Sequence, residues 1–169
     1  MEWVSVKNQS LGMQEYHLLD AGSKRAILKY NTHQQVARIQ CDGNYGIFFI
    51  ERTGSFVNRT LFKNEYGQEI GRLSFDIRHS HTGPIELNGK KFQYSFQNNP
   101  FAELVIFNKD VTKPLISSRL KNADDQTSVV FTSVNNEEYA CLLLGLCWYV
   151  LNPALAKQSV QPVFANAGS

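Results

Sequence analysis

Apolar and polar residues alternate in short runs along residues 2–133, and each run is closed by glycine, asparagine or aspartate. That is the signature of strands with one buried face. Twelve such runs predict twelve strands, at about 2–7, 13–19, 25–30, 35–41, 46–52, 57–63, 69–77, 84–87, 91–97, 102–108, 114–120 and 127–133. Alternation assigns the faces: in 91–97, Phe92, Tyr94 and Phe96 lie opposite Gln93, Ser95 and Gln97. In 69–78, Gly71, Leu73, Phe75 and Ile77 lie opposite Arg72, Ser74, Asp76 and Arg78. Asn88-Gly89 is the strongest hairpin signal, because a type I′ turn needs positive φ at both central residues. Asp42-Gly43 and Tyr66-Gly67 punctuate the chain in a similar way.

The pattern then changes period. From Tyr139 to Leu151 no residue carries a charge or a side-chain amide, so a helix there is apolar on every side. Asn135 and Glu138 form a capping-box pair, Glu137 and Glu138 suit the positive end of the helix dipole, and Asn152-Pro153 ends the segment. The predicted helix, 136–151, is a rod of about 24 Å. A membrane span needs about twenty apolar residues. The surround expected for this rod is therefore the protein's own sheet. Gly145 in mid-helix costs about 1 kcal/mol against alanine; it either marks a close neighbour or is simply a poor helix residue.

A sheet of twelve strands has to curl or split, and closure removes its exposed edges. Eight strands make a barrel just filled by its own side chains, whereas an eleven-stranded can holds a central helix. The expected fold is mainly β: a closed, roughly twelve-stranded antiparallel β-barrel around a central hydrophobic C-terminal helix. Residues 1–153 form the domain and 154–169 a partly loose tail.

Composition narrows the function. A chain of 169 residues with 12% aromatic and 19% charged residues is a single globular domain. Its net charge of +2 is scattered, which argues against a nucleic-acid partner. The opening MEWVSVKNQS has no apolar stretch of signal-peptide length, so the sequons at Asn8 and Asn58 are not expected to be used. Three cysteines, an odd count, favour a reducing cytoplasm over a disulfide framework. Cys141 and Cys147 sit about 240° apart around the helix and cannot bridge each other. Inert core thiols are the expectation.

No catalytic signature is present: the chain lacks a G-x-S-x-G elbow, a glycine-rich phosphate loop and an H-E-x-x-H motif. No cofactor is expected. His79 and His81 are spaced like a metal pair, but only Asp76 lies nearby, so a solvated loop is the expectation. Asp124-Asp125 reads as a turn with too few oxygens for calcium. For anion binding the best candidate is the alternate set Lys113, Ser117, Arg119 and Lys121, three cations and a hydroxyl with no acid between them. Arg72 and Arg78 share a second face, with Asp76 between them, and Arg25 with Lys29 make a smaller pair.

Twelve short strands followed by one hydrophobic C-terminal helix resemble the tubby-like superfamily of tubby C-terminal domains, phospholipid scramblases and LURP-one-related proteins. The segment FKNEYGQEIGRLSF resembles that family's strand-turn-strand unit. The resemblance implies a closed barrel wrapped around its C-terminal helix. It also implies, more loosely, binding of phosphoinositide head groups through basic residues on the barrel. The acidic calcium segment and membrane-inserting helix of scramblases have no counterpart after Asn152-Pro153, so scrambling is not implied. The expected function is a non-catalytic, cytoplasmic, peripheral binding module for anionic lipid head groups or phosphorylated ligands. A protein-interaction or structural domain is the alternative, and a metal-dependent enzyme the remote one.

Overall fold

A computed structural model describes residues 1–6, 11–41, 47–53, 59–73, 81–97, 99, 101–108, 113–123, 126–134 and 139–152. All twelve predicted strands are present. They are β1 (Glu2–Ser5), β2 (Met13–Asp20), β3 (Ser23–Asn31), β4 (Val36–Cys41), β5 (Ile47–Thr53) and β6 (Arg59–Asn64). The second half supplies β7 (Glu69–Leu73), β8 (Thr82–Leu87), β9 (Lys90–Gln97), β10 (Glu103–Asn108), β11 (Pro114–Ala123) and β12 (Gln126–Val134). Each strand pairs antiparallel with its neighbours in sequence, and β1 closes on β12 through Glu2 opposite Val130 and Trp3 opposite Val129. No edge is left open. The expected strand over 69–77 is described only as far as Leu73; Ser74, Phe75, Asp76, Ile77 and Arg78 lie outside the described residues.

The inner face is apolar because the alternation is kept nearly all the way round. Phe92, Tyr94 and Phe96 of β9 are buried as their spacing predicts, and they meet Ile85, Leu104 and Ile106 from the flanking strands. Turn chemistry sets the registers. Asn88 and Gly89 both have positive φ, at 47° and 76°, as the type I′ turn requires. A second turn of this kind, Ala21-Gly22 at 48° and 83°, joins β2 to β3 and carries no asparagine or aspartate at its first position to announce it. At Tyr66-Gly67 the Asn64 side chain accepts from the backbone N–H groups of Tyr66 and Gln68, closing the link between β6 and β7. The Asp42-Gly43 turn lies outside the described residues.

The helix α1 (Ala140–Leu151) fills the barrel, with every residue from Ala140 to Trp148 and also Leu151 buried. It begins four positions later than expected, with Tyr139 as its N-cap and no side-chain capping bond, and is about 18 Å long. Asn135, Glu137 and Glu138 lie outside the described residues. At the other end Asn152 is extended, with ψ of 116°, as a residue preceding proline should be. Gly145 does have a close neighbour. A Cβ built there would overlap the Cδ1 of Ile39 on β4. Trp3 of β1 donates its indole N–H to the Leu144 carbonyl at 3.1 Å, tying the barrel's closing strand to the rod.

The thiols differ from expectation. Cys41, the last residue of β4, is joined to Cys141 in the first turn of α1, with their Cα atoms 6.5 Å apart, inside the usual range for a disulfide. The odd count misled because the partners lie 100 residues apart and only barrel closure brings them together. With that pairing, the cysteine count no longer argues for a reducing compartment. Cys147 alone stays free, fully buried, and burial pushes its thiol up to about 12. No helix among the described residues is long and apolar enough to cross a membrane.

Candidate functional site

Antiparallel order gives the barrel two rims. The links β1–β2, β3–β4, β5–β6, β7–β8, β9–β10 and β11–β12 all lie at the rim where α1 ends, here the lower rim. The Tyr149 hydroxyl reaching the Gln35 carbonyl, at 3.5 Å, fixes this correspondence. The opposite, upper rim is where α1 begins, marked by the Cys41–Cys141 bond and by Lys90 stacked 4.9 Å over the Tyr139 ring.

On this frame the predicted cationic face divides. β11 carries an extra residue at Leu115, because Phe107 pairs with Pro114 while Ile106 pairs with Ile116. The bulge breaks the alternation, and Lys113 precedes the strand altogether. Lys113 sits at the upper rim, whereas Arg119 and Lys121 lie toward the lower one, six and eight residues along, or roughly 20 and 26 Å of strand. One head group cannot touch all three. Ser117 also drops out: it is only 8% exposed, so no hydroxyl is offered between the cations.

What remains is compact. Arg119 and Lys121 are both exposed and point outward, paired with Val130 and Ser128 on β12, at the strand repeat of about 7 Å. The ion pairs of the barrel engage Glu15 with His17 and Lys29, Asp20 with Arg25, and Glu51 with Lys63. None joins Arg119 or Lys121 among the described residues. The nearest acid beyond β12 is Glu2, which accepts a hydrogen bond from Ser128 at 2.5 Å. On the other flank Glu103, half-buried, follows Leu104 in register toward Arg119.

Sequence reasoning missed Phe101, which is 58% exposed and whose carbonyl accepts from the Leu120 N–H at 2.7 Å. That bond sets the Phe101 backbone beside Leu120, the residue between Arg119 and Lys121. An Asx turn presents it, with Asn99 Oδ1 accepting from the Phe101 N–H at 2.9 Å. The signal available was an aromatic residue inside the turn segment Asn98-Asn99-Pro100-Phe101, where polar residues are the rule.

The other candidates fare less well. Arg72 is exposed but stands directly opposite Glu86. The two line a shallow cleft of about 250 Å³ together with Glu69. Both carboxylates lie within the cleft itself and offset the guanidinium's charge there. Arg25 and Lys29 are each held near a carboxylate, at 3.6 Å from Asp20 and 3.4 Å from Glu15. His17 and Lys29 hold the Glu15 carboxyl below its ordinary range. His81 has its Nδ1 3.2 Å from the Phe96 carbonyl oxygen, and no group of three potential ligands for a metal occurs among the described residues. Arg78, His79, Asp124, Asp125, the sequons at Asn8 and Asn58, and the tail 154–169 lie outside the described residues.

Comparison with protein-family models, with curated proteins and with solved structures finds no match.

Proposed function

We propose that this chain is a non-catalytic tubby-like barrel that binds an anionic lipid head group or another phosphorylated ligand peripherally. The observation that carries the reading is the pair Arg119 and Lys121, exposed on one face of β11 and outside any ion pair among the described residues. The closed twelve-stranded barrel threaded by its C-terminal helix supports the tubby-like part. An acidic bilayer surface offers the lipid head groups that such a pair would meet. Each cation near an acidic surface contributes about 1 kcal/mol, so the two together change affinity about thirtyfold.

Co-sedimentation with vesicles tests this. Binding is expected with acidic lipid at low salt, weakening as salt rises, and falling in an Arg119→Ala/Lys121→Ala variant with unchanged melting. Equal binding to neutral vesicles, or no binding at low salt, removes the reading and leaves a protein-interaction domain in its place.

A further inference from the structure

We propose that the ligand is a membrane surface and that the barrel docks on it end-on, lower rim first, with Phe101 and Leu11 dipping below the head groups. This rests on the anionic-ligand reading above and commits it to one source, a lipid bilayer.

Three observations converge. The first is where exposed apolar side chains fall. Leu11, in the β1–β2 link, is 102% exposed, and Phe101, in the β9–β10 link, is 58% exposed; both links belong to the lower rim. At the upper rim the corresponding residues are Tyr66, which carries a polar hydroxyl, and Met1 at 39%. Single exposed hydrophobics need no explanation, but these two tips are held outward. Leu11 precedes Gly12, whose carbonyl accepts from the Thr32 N–H at 3.0 Å and from its hydroxyl at 3.3 Å. Phe101 is fixed by Asn99 and Leu120 as described.

The second observation is charge. Arg59, Arg119 and Lys121 are exposed toward the lower rim, and the pair on β11 is flanked by Glu103 on β10 and by Glu2 on β1, whose carboxylate accepts from Ser128 opposite Lys121. The upper rim intersperses Lys24, Arg25, Lys90 and Lys91 with Asp20, Glu65, Glu69 and Glu86. Among them Arg25 lies 3.6 Å from Asp20 and Lys91 stands opposite Glu86, so part of that rim's positive field is cancelled locally.

The third is spacing. The two apolar tips are four strands apart on a twelve-stranded closed barrel, a third of the circumference or roughly 20 Å across the rim. No soluble phosphate spans that distance. A bilayer touches both at once, with cations at head-group level and apolar side chains below them, the arrangement of interfacial anchors.

The test uses the full chain with an environment-sensitive fluorophore on a single introduced cysteine: Leu11→Cys, Phe101→Cys, or Tyr66→Cys as the upper-rim control. Cys147 is fully buried with its thiol pushed up to about 12, and the other two cysteines are bonded to each other. The introduced thiol therefore labels first. Vesicles containing phosphatidylserine should brighten and blue-shift the probes at 11 and 101 and leave that at 66 unchanged. As a second arm, Leu11→Ser/Phe101→Ser should weaken co-sedimentation at least tenfold while melting as the original chain does. A response at 66 with none at 11 and 101, or unchanged binding of the double serine variant, overturns end-on insertion. Binding to acidic vesicles with no probe responding overturns it too but leaves the electrostatic reading standing. Failure to bind acidic vesicles at all removes both.

Discussion

Gly145 of the central helix faces Ile39 of β4 so closely that a Cβ on the glycine would overlap the isoleucine's Cδ1 and lie 2.9 Å from its Cγ1. Helix propensity favours alanine there by about 1 kcal/mol. Overpacking a full core costs about 1–3 kcal/mol, and Ile39 has no room to retreat, being completely buried. Gly145→Ala is therefore expected to lower stability by up to about 2 kcal/mol despite the better helix former. Adding Ile39→Val, which deletes the offending methyl, should recover most of the loss. Chemical denaturation of the two single variants and the double variant gives the coupling, and simple additivity would contradict the contact.

The Cys41–Cys141 bond closes a loop of 100 residues and pins the first turn of the rod to the upper rim. Loop-closure entropy puts a bond over that separation at about 5 kcal/mol, and disulfides typically deliver about 2–4 kcal/mol. Cys41→Ser/Cys141→Ser should lose about 2–4 kcal/mol of unfolding free energy with a steeper denaturant slope, because the unfolded chain without the link exposes more surface, and reduction of the original chain should match it. Thiol counting on unfolded, unreduced protein should find one free group, Cys147. Three free groups would mean the pair stays reduced, as a cytoplasmic setting favours.

The fold was legible in the sequence because it rests on repeated local signals. Alternation of the Phe92, Tyr94 and Phe96 kind marks each strand, and the unbroken apolarity of 139–151 leaves the helix no place but the inside of the sheet. Details that depend on register were not legible. The extra residue at Leu115 moves Lys113 off the face it shares by simple counting, Ser117 is outward yet covered, and Cys41 meets Cys141 only once the barrel closes. The candidate site was half legible: Arg119 and Lys121 followed from spacing, but Phe101 is placed beside them by a single backbone bond to Leu120.

Tyr30 is 1% exposed, packed edge-on to Trp148 and Tyr149, and its hydroxyl has no hydrogen-bond partner among the described residues. A buried unsatisfied hydroxyl costs about 1–3 kcal/mol, so Tyr30→Phe should be neutral or stabilising by about 1 kcal/mol at pH 7. Burial also raises its ionisation above the ordinary tyrosine value of 10.0. The unfolded chain then releases its proton first, so stability from this group is intact below that value and lost as pH climbs beyond it. Thermal melts across that range should show the original chain losing stability more steeply than the phenylalanine variant. A large loss at pH 7 would instead reveal a partner for the hydroxyl.

Alternation alone puts Lys113 in the same site as Arg119 and Lys121; the bulged register puts it at the opposite rim, roughly 20 Å from Arg119 and 26 Å from Lys121 along the strand. The two placements differ in what single alanine variants do. An exposed cation at the upper rim of an end-on barrel is more than a Debye length, about 8–10 Å, from the surface and is screened from it. Lys113→Ala should therefore leave acidic-vesicle binding unchanged within about twofold. Lys121→Ala and Arg119→Ala should each weaken it by about fivefold, the equivalent of about 1 kcal/mol. The salt dependence should divide in the same way, shallower for the two lower-rim variants and unaltered for Lys113→Ala. Equal losses at all three positions would lay the barrel on its side and return Lys113 to the site.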